Sequence, residues 1–134
     1  MNAILKTDGG SRGNPGEGAS GAVLFNEEGI VIDIAGLYLH NTTNNNAEYQ
    51  ALVIGLKMAK KNRIENLECF LDSELIVKQM NGIYKISDAN IKQIKKLIDT
   101  LLPNFQKVSF THIPREQNKL ADKIVNLILD EHSK

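Results

Sequence analysis

Four acidic side chains, Asp8, Glu48, Asp72 and Asp122, stand where an α/β chain could bring them together. Asp8 follows the apolar run Ala3–Thr7 and Asp72 ends the apolar run Leu67–Leu71, while Glu48 and Asp122 fall in the first turns of two amphipathic segments. Taken singly, each has a structural explanation. Asp8-Gly9 is a turn former, Glu48 could close a capping box with Asn45, Asp72 could cap a helix, and Asp122 could face a helix dipole. Those explanations give the acids no common address, whereas the rim formed by strand C-termini and helix N-termini of an α/β sheet does. Carboxylates gathered there repel and raise one another's pKa, so a cluster of four calls for a cation. All-oxygen donors suit magnesium or manganese better than zinc. Two such ions about 4 Å apart fit in-line displacement at phosphorus, one activating the attacking water and the other stabilising the leaving oxygen.

The elements that must position these acids can be read from periodicity. Ala3–Thr7 is expected to be a strand that Asp8 ends, and Asp8 to Gly16, with its four glycines and Pro15, to be a loop. Gly18–Glu27 and Ile30–Tyr38 read as strands joined by a hairpin turn at Asn26-Glu27-Glu28-Gly29. After a polar loop, Asn41–Asn46, a helix is expected from Ala47 to about Lys61, with Leu52, Gly55 and Ala59 on the face of Glu48. Leu67–Leu71 follows as a strand and Ser73–Met80 as a short helix. Asp88 to Leu102 carries the clearest apolar stripe (Ile91, Ile94, Leu97, Ile98, Leu101, Leu102), with Ser87 or Asp88 as its cap and Pro103 beyond its end. Lys107–Ile113 reads as a strand, Pro114–Asn118 as a loop and Lys119–Asp130 as a closing helix. The order β-β-β-α-β-α-α-β-α implies a five-stranded mixed α/β sheet, flanked by helices on both faces.

A chain of 134 residues suits one domain, here 1–134, and can build a core without staples. Cys69 is the only cysteine, so no internal disulfide is available and a reducing, cytoplasmic setting is expected. No signal core or bilayer-length apolar run is present, so no membrane partner is expected, and the chain is read as a soluble monomer. Net charge is zero, yet nine bases and four acids lie between Lys78 and Lys123. That excess suits a solvated helix face or a side turned to a polyanion.

Four blocks of sequence carry a family resemblance: Asp8 to Gly16; Thr42-Thr43-Asn44-Asn45-Asn46-Ala47-Glu48; Asp72-Ser73-Glu74; and His112 to Asp122. With these blocks in this order and at these separations, the chain resembles type 1 ribonuclease H over nearly its whole length. The resemblance implies a ribonuclease H-like fold. It also implies an endonuclease that hydrolyses the RNA strand of an RNA–DNA hybrid, leaving 5′-phosphate and 3′-hydroxyl ends. It maps the metal-binding catalytic carboxylates onto Asp8, Glu48, Asp72 and Asp122, with two Mg2+ ions, or Mn2+ in their place. Nucleic-acid contacts are implied for Gly9, Gly10, Ser11, Asn14, Thr43, Asn44, Asn45 and Ser73, with Asn14 and Thr43 near a phosphate of the DNA strand. Amides and hydroxyls suit such contacts, although Asn14 could simply shape its turn and Asn44 or Asn45 could cap the helix.

His112 stands ten residues before Asp122, where many relatives carry a histidine near the scissile phosphate. Here it closes a strand before Ile113-Pro114, so Arg115 is the alternative auxiliary group, its guanidinium suiting phosphate geometry. The segment from Met80 to Asp88 is too short for the basic protrusion of some relatives, and the blocks begin at residue 8, without a preceding hybrid-binding domain. Binding is therefore expected to be weaker and more dependent on magnesium. Glu74 stands where some relatives carry glutamine, so that residue's minor-groove contact does not carry over. An exonuclease of the same fold generally needs a second acid two residues after the first, and Gly10 holds that position. A non-catalytic binding module would be expected to have lost an acid, and none is missing. Cleavage of double-stranded RNA beside hybrid is left open.

Overall fold

The computed structural model describes residues 1–133. Strands β1 (Asn2–Gly13), β2 (Gly16–Phe25) and β3 (Val31–Thr42) form an antiparallel meander. Helix α1 (Asn44–Lys61), strand β4 (Asn66–Leu71), helices α2 (Glu74–Met80) and α3 (Ala89–Leu101), strand β5 (Lys107–His112) and helix α4 (Lys119–His132) follow. The sheet order is β3-β2-β1-β4-β5, with β4 parallel to both β1 and β5. The five-stranded mixed sheet expected from the sequence is the observed architecture.

Alternation along β1 assigns its two faces. Ala3, Leu5, Thr7 and Gly9 are buried on the α1 side, and Leu5 joins Leu24, Leu52, Leu56, Leu67, Ile76 and Ile98 in the main core. Gly10 has Val125 of α4 as a neighbour across the opposite face. There α4 buries Val125 and Leu129 against Ala19 of β2, a smaller second core. Gly21 admits that helix: a Cβ there would lie 2.9 Å from the Ala121 carbonyl oxygen.

Three expectations are corrected. Asp8 does not end its strand, because β1 keeps its antiparallel pairing with β2 to Gly13↔Gly16. Only the pairing with β4 stops, at Thr7↔Leu71. The glycines read as loop formers are instead needed in a strand squeezed between two helices, and cross-strand pairing outweighs their poor strand propensity. The turn shrinks to the segment between Gly13 and Gly16. Helix α1 also starts earlier than expected, at Asn44, because its cap is Thr43, whose hydroxyl accepts the Asn46 N–H at 3.2 Å, and not Asn45. Likewise Ser73, not Asp72, caps α2, and Asp88 caps α3.

Candidate active site

Asp8 and Asp72 are the first residues past the last β1–β4 pair, so the strands release both carboxylates side by side. Glu48 reaches them because α1 lies directly on β1 at Gly9. A Cβ there would be 2.3 Å from the Ala47 carbonyl carbon and 2.4 Å from the Glu48 nitrogen, so only glycine lets the helix come this close. Asp8, Glu48 and Asp72 each offer a carboxylate oxygen within 4.8 Å of the others. Asp122 arrives from the first turn of α4, on the other face of the sheet, and its carboxyl lies within hydrogen-bonding reach of Asp8. All four line one open cleft of about 290 Å³, together with Gly10, Ser11, Arg12, Asn44, Arg115 and Asn126.

The electrostatics are those of a site short of positive charge. Burial, and then the charges of Asp8 and Asp72, push the Glu48 carboxyl up to about 8. Burial foremost, followed by Asp72, with Asp122 adding to it, pushes Asp8 up to about 7 against the opposing effect of the Gly9 N–H. Two carboxyls that hold protons near neutrality, in an all-oxygen cluster open to solvent, fit a hard divalent cation. Binding one would replace those protons and relieve the repulsion.

The other expected residues fall into distinct places. Arg115 lines the cleft and its guanidinium is 3.6 Å from the Asp122 carboxylate. His112 ends β5 beside Leu71, exposed to solvent; its charge acts on Glu74, and it does not line the cleft. Gly9, buried under α1, still lines the cleft, together with Gly10, Ser11 and Asn44. The Asn14 side chain accepts the Asn44 N–H at 2.9 Å, tying the β1–β2 turn to the start of α1. Asn45 is exposed in the first turn of that helix, and Ser73 lies against Asp72 with its hydroxyl accepting the Ile76 N–H.

Arg12 and Asn126 on the cleft wall escaped the sequence reading, and so did a polar residue beneath the acids. Asn118 is fully buried, and its amide donates to the Thr7 carbonyl at 2.8 Å and to the Asp72 carboxylate at 3.1 Å. It therefore locks the end of β1, the end of β4 and the entry to α4 together around the acids. Its only sequence signal is an asparagine just before a helix, which reads as a cap. No capping bond is made here.

A mixed sheet with an oxygen-rich cleft at the carboxyl ends of its parallel strands defines an α/β protein with a site able to hold a hard divalent cation. Comparison narrows that class. Residues 6–128 match the family model described as reverse transcriptase-like. A ribonuclease HI of Halobacterium salinarum is 37% identical over 92% of this chain and 62% of its own length. The solved N-terminal RNase H domain of a Mycobacterium tuberculosis protein superposes with a TM-score of 0.96 at 30% identity, covering 99% of this chain and 96% of the solved one. LC11-RNase H1, solved in complex with an RNA/DNA hybrid, gives 0.93 at 36% identity, covering 98% and 99%. The chain belongs to the ribonuclease H family. It spans 62% of the length of the Halobacterium relative and 36% of the full mycobacterial protein.

Proposed function

We propose that this chain is a divalent-metal-dependent endonuclease that hydrolyses the RNA strand of RNA–DNA hybrids, leaving 5′-phosphate and 3′-hydroxyl ends. The observation that carries the reading is the meeting of Asp8, Glu48 and Asp72 within 4.8 Å, with Asp122 closing the group from α4. Those four residues would hold two Mg2+ ions, or Mn2+, and the ions would activate the attacking water and neutralise the leaving oxygen. The protein's own part is positioning. Asn118 orients Asp72, and the Gly9 contact presents Glu48. Arg115 stands on the cleft wall, where its guanidinium can meet a phosphate oxygen. Asn44 and Asn45, exposed at the N-terminal turn of α1, offer amides to base edges and 2′-hydroxyls, the group by which a protein distinguishes RNA from DNA. A hybrid-bound relative of nearly the same shape supports this substrate. A cytoplasmic setting belongs to the same proposal, supported by Cys69, a buried free thiol.

The test is digestion of end-labelled hybrid, duplex RNA and duplex DNA with Mg2+, Mn2+ or chelator. Cleavage confined to the RNA strand of hybrid, lost in chelator and in Asp72→Asn, is the expected pattern. The amide keeps the shape of the ligand but not its charge. Full activity in Asp72→Asn, or in chelator, would remove the metal reading. Cutting of duplex RNA at a comparable rate would widen the substrate class.

A further inference from the structure

The cleft does not stop at the carboxylates. Beyond Thr7, β1 has lost β4 from one edge and runs on, with α4 beside it in the same direction: Asp122 lies near Asp8, Val125 near Gly10 and Asp130 near Arg12. Asp8, Gly10 and Arg12 share one face of the strand, and all three line the cleft with Val125, Asn126 and Leu129. Gly10 keeps the floor of this track low. A Cβ there would have only the Asn44 side chain at 3.6 Å and Val125 at 3.9 Å as neighbours. At about 3.3 Å per strand residue, Arg12 lies roughly 13 Å from Asp8, within the span of a few nucleotides.

The Arg12 guanidinium is not loose. It donates to the Asp130 carboxylate at 2.5 Å and, at 3.4 Å, to the Ser133 hydroxyl at the end of α4. As a staple this pair has little value: the two side chains are 43% and 63% exposed, and exposed ion pairs add little to stability. As a support it does more, because an arginine has five N–H donors in a rigid fork, and two committed donors leave three to offer. The result is a cation held on the wall of an acidic cleft, downstream of the acids along an uncovered strand edge.

We propose that Arg12 is a phosphate contact for the RNA strand of bound hybrid, held in position by Asp130. This rests on the function proposed above, since the strand lying over the carboxylates is the one cut, and the track leading to Arg12 continues from them. Arg12 is a substrate-positioning residue. Its contribution is to affinity and register, away from the reacting atoms.

The experiment is single-turnover cleavage of labelled hybrid with enzyme concentration varied, repeated across a series of salt concentrations, for the parent and for Arg12→Ala, Arg12→Lys and Asp130→Ala. Arg12→Ala should raise the half-saturating concentration about tenfold, the scale of one charge-assisted hydrogen bond, with the maximal rate nearly unchanged. It should also reduce the slope of log affinity against log salt by about one, as expected for one lost phosphate contact. Arg12→Lys should keep the parent's salt slope while losing part of the affinity. Asp130→Ala breaks the same ion pair but leaves the cation, so its slope should match the parent's. Equal effects of Arg12→Ala and Asp130→Ala, with no change of slope in either, would reduce the pair to a staple and overturn the inference. A parent that cleaves hybrid, with Arg12→Ala indistinguishable from it, would overturn this inference alone. A parent that neither binds nor cleaves hybrid would overturn the proposed function and this inference together.

Discussion

Arg115 and His112 are three residues apart, yet they stand in different surroundings. His112 is held by β5 opposite Leu71, and the backbone after it is directed by Ile113 and Pro114, whose ring restricts the residue before it. Ile113 is buried, which pins that segment further. Arg115 lies beyond the proline in a short 3-10 turn, Arg115–Gln117, with a side chain 80% exposed and its tip 3.6 Å from Asp122. That contact adds little stability; its importance lies in reach. A long, exposed cation beside the carboxylates can reach charge as it develops on phosphorus. A preorganised donor of this kind supplies about 10²–10³ in rate, and an exposed arm should supply somewhat less. Arg115→Ala is therefore expected to lower the single-turnover rate about tenfold to a hundredfold at saturating Mg2+. His112→Ala should stay within about threefold of the parent, since no acid or base within hydrogen-bonding reach of the reaction is lost. The opposite ranking would return the histidine to the auxiliary role.

Among the elements, the contact between β1 and α1 decides whether there is a site at all. Gly9→Ala would place a Cβ 2.3 Å from backbone, which no rotamer change relieves, so the helix must move off the strand and carry Glu48 with it. Overpacking of this kind costs about 1–3 kcal/mol or more. A displacement of about 1 Å at a catalytic group can cost 10²-fold. We expect Gly9→Ala to lower both the melting temperature and the metal-dependent rate, the rate by about a hundredfold. A folded Gly9→Ala enzyme with normal turnover would mean that the close approach is not what sets the Glu48 position. The same contact explains what could be read beforehand. The five strands and four helices were legible because apolar alternation and helical stripes are local. The rim address of the acids was legible because each one adjoins a boundary between elements. The continuation of β1 past Asp8 was not, since four glycines and a proline from Asp8 to Gly16 read as turn, and only the helices on either side show why the strand needs Gly9 and Gly10 there. Nor was the bridge made by Asn118, whose partners Thr7 and Asp72 lie far away in sequence.

For the whole molecule, the site is a point of strain that the fold tolerates and a cation can relieve. β1, α1, the residue just past β4, and α4 each contribute one carboxylate, so their mutual repulsion acts against closure of both helical layers onto the sheet. The linkage has a definite sign. Asp8 and Glu48 have folded-state pKa values near 7 and 8, above their ordinary 3.8 and 4.5. Between those limits the folded protein binds more protons than the unfolded chain. The stability these two groups contribute is therefore fully present below the ordinary carboxyl range and is lost as pH rises through about 7 and 8. The metal-free protein should accordingly become less stable across that interval. Asp8→Asn, which removes one of the two titrations and lowers the other by taking away a repelling charge, should melt above the parent at the alkaline end. The gap should narrow as pH falls towards the ordinary carboxyl range. Saturating Mg2+ should raise the melting temperature of the parent most where the carboxylates are ionised, and should raise that of Asp8→Asn less. Thermal unfolding followed by circular dichroism across this pH range, in chelator and in Mg2+, makes the comparison. Identical pH dependence for parent and Asp8→Asn in chelator would show that these acids do not repel one another in a common site. A Mg2+ shift equal in both proteins would show that the ion binds elsewhere.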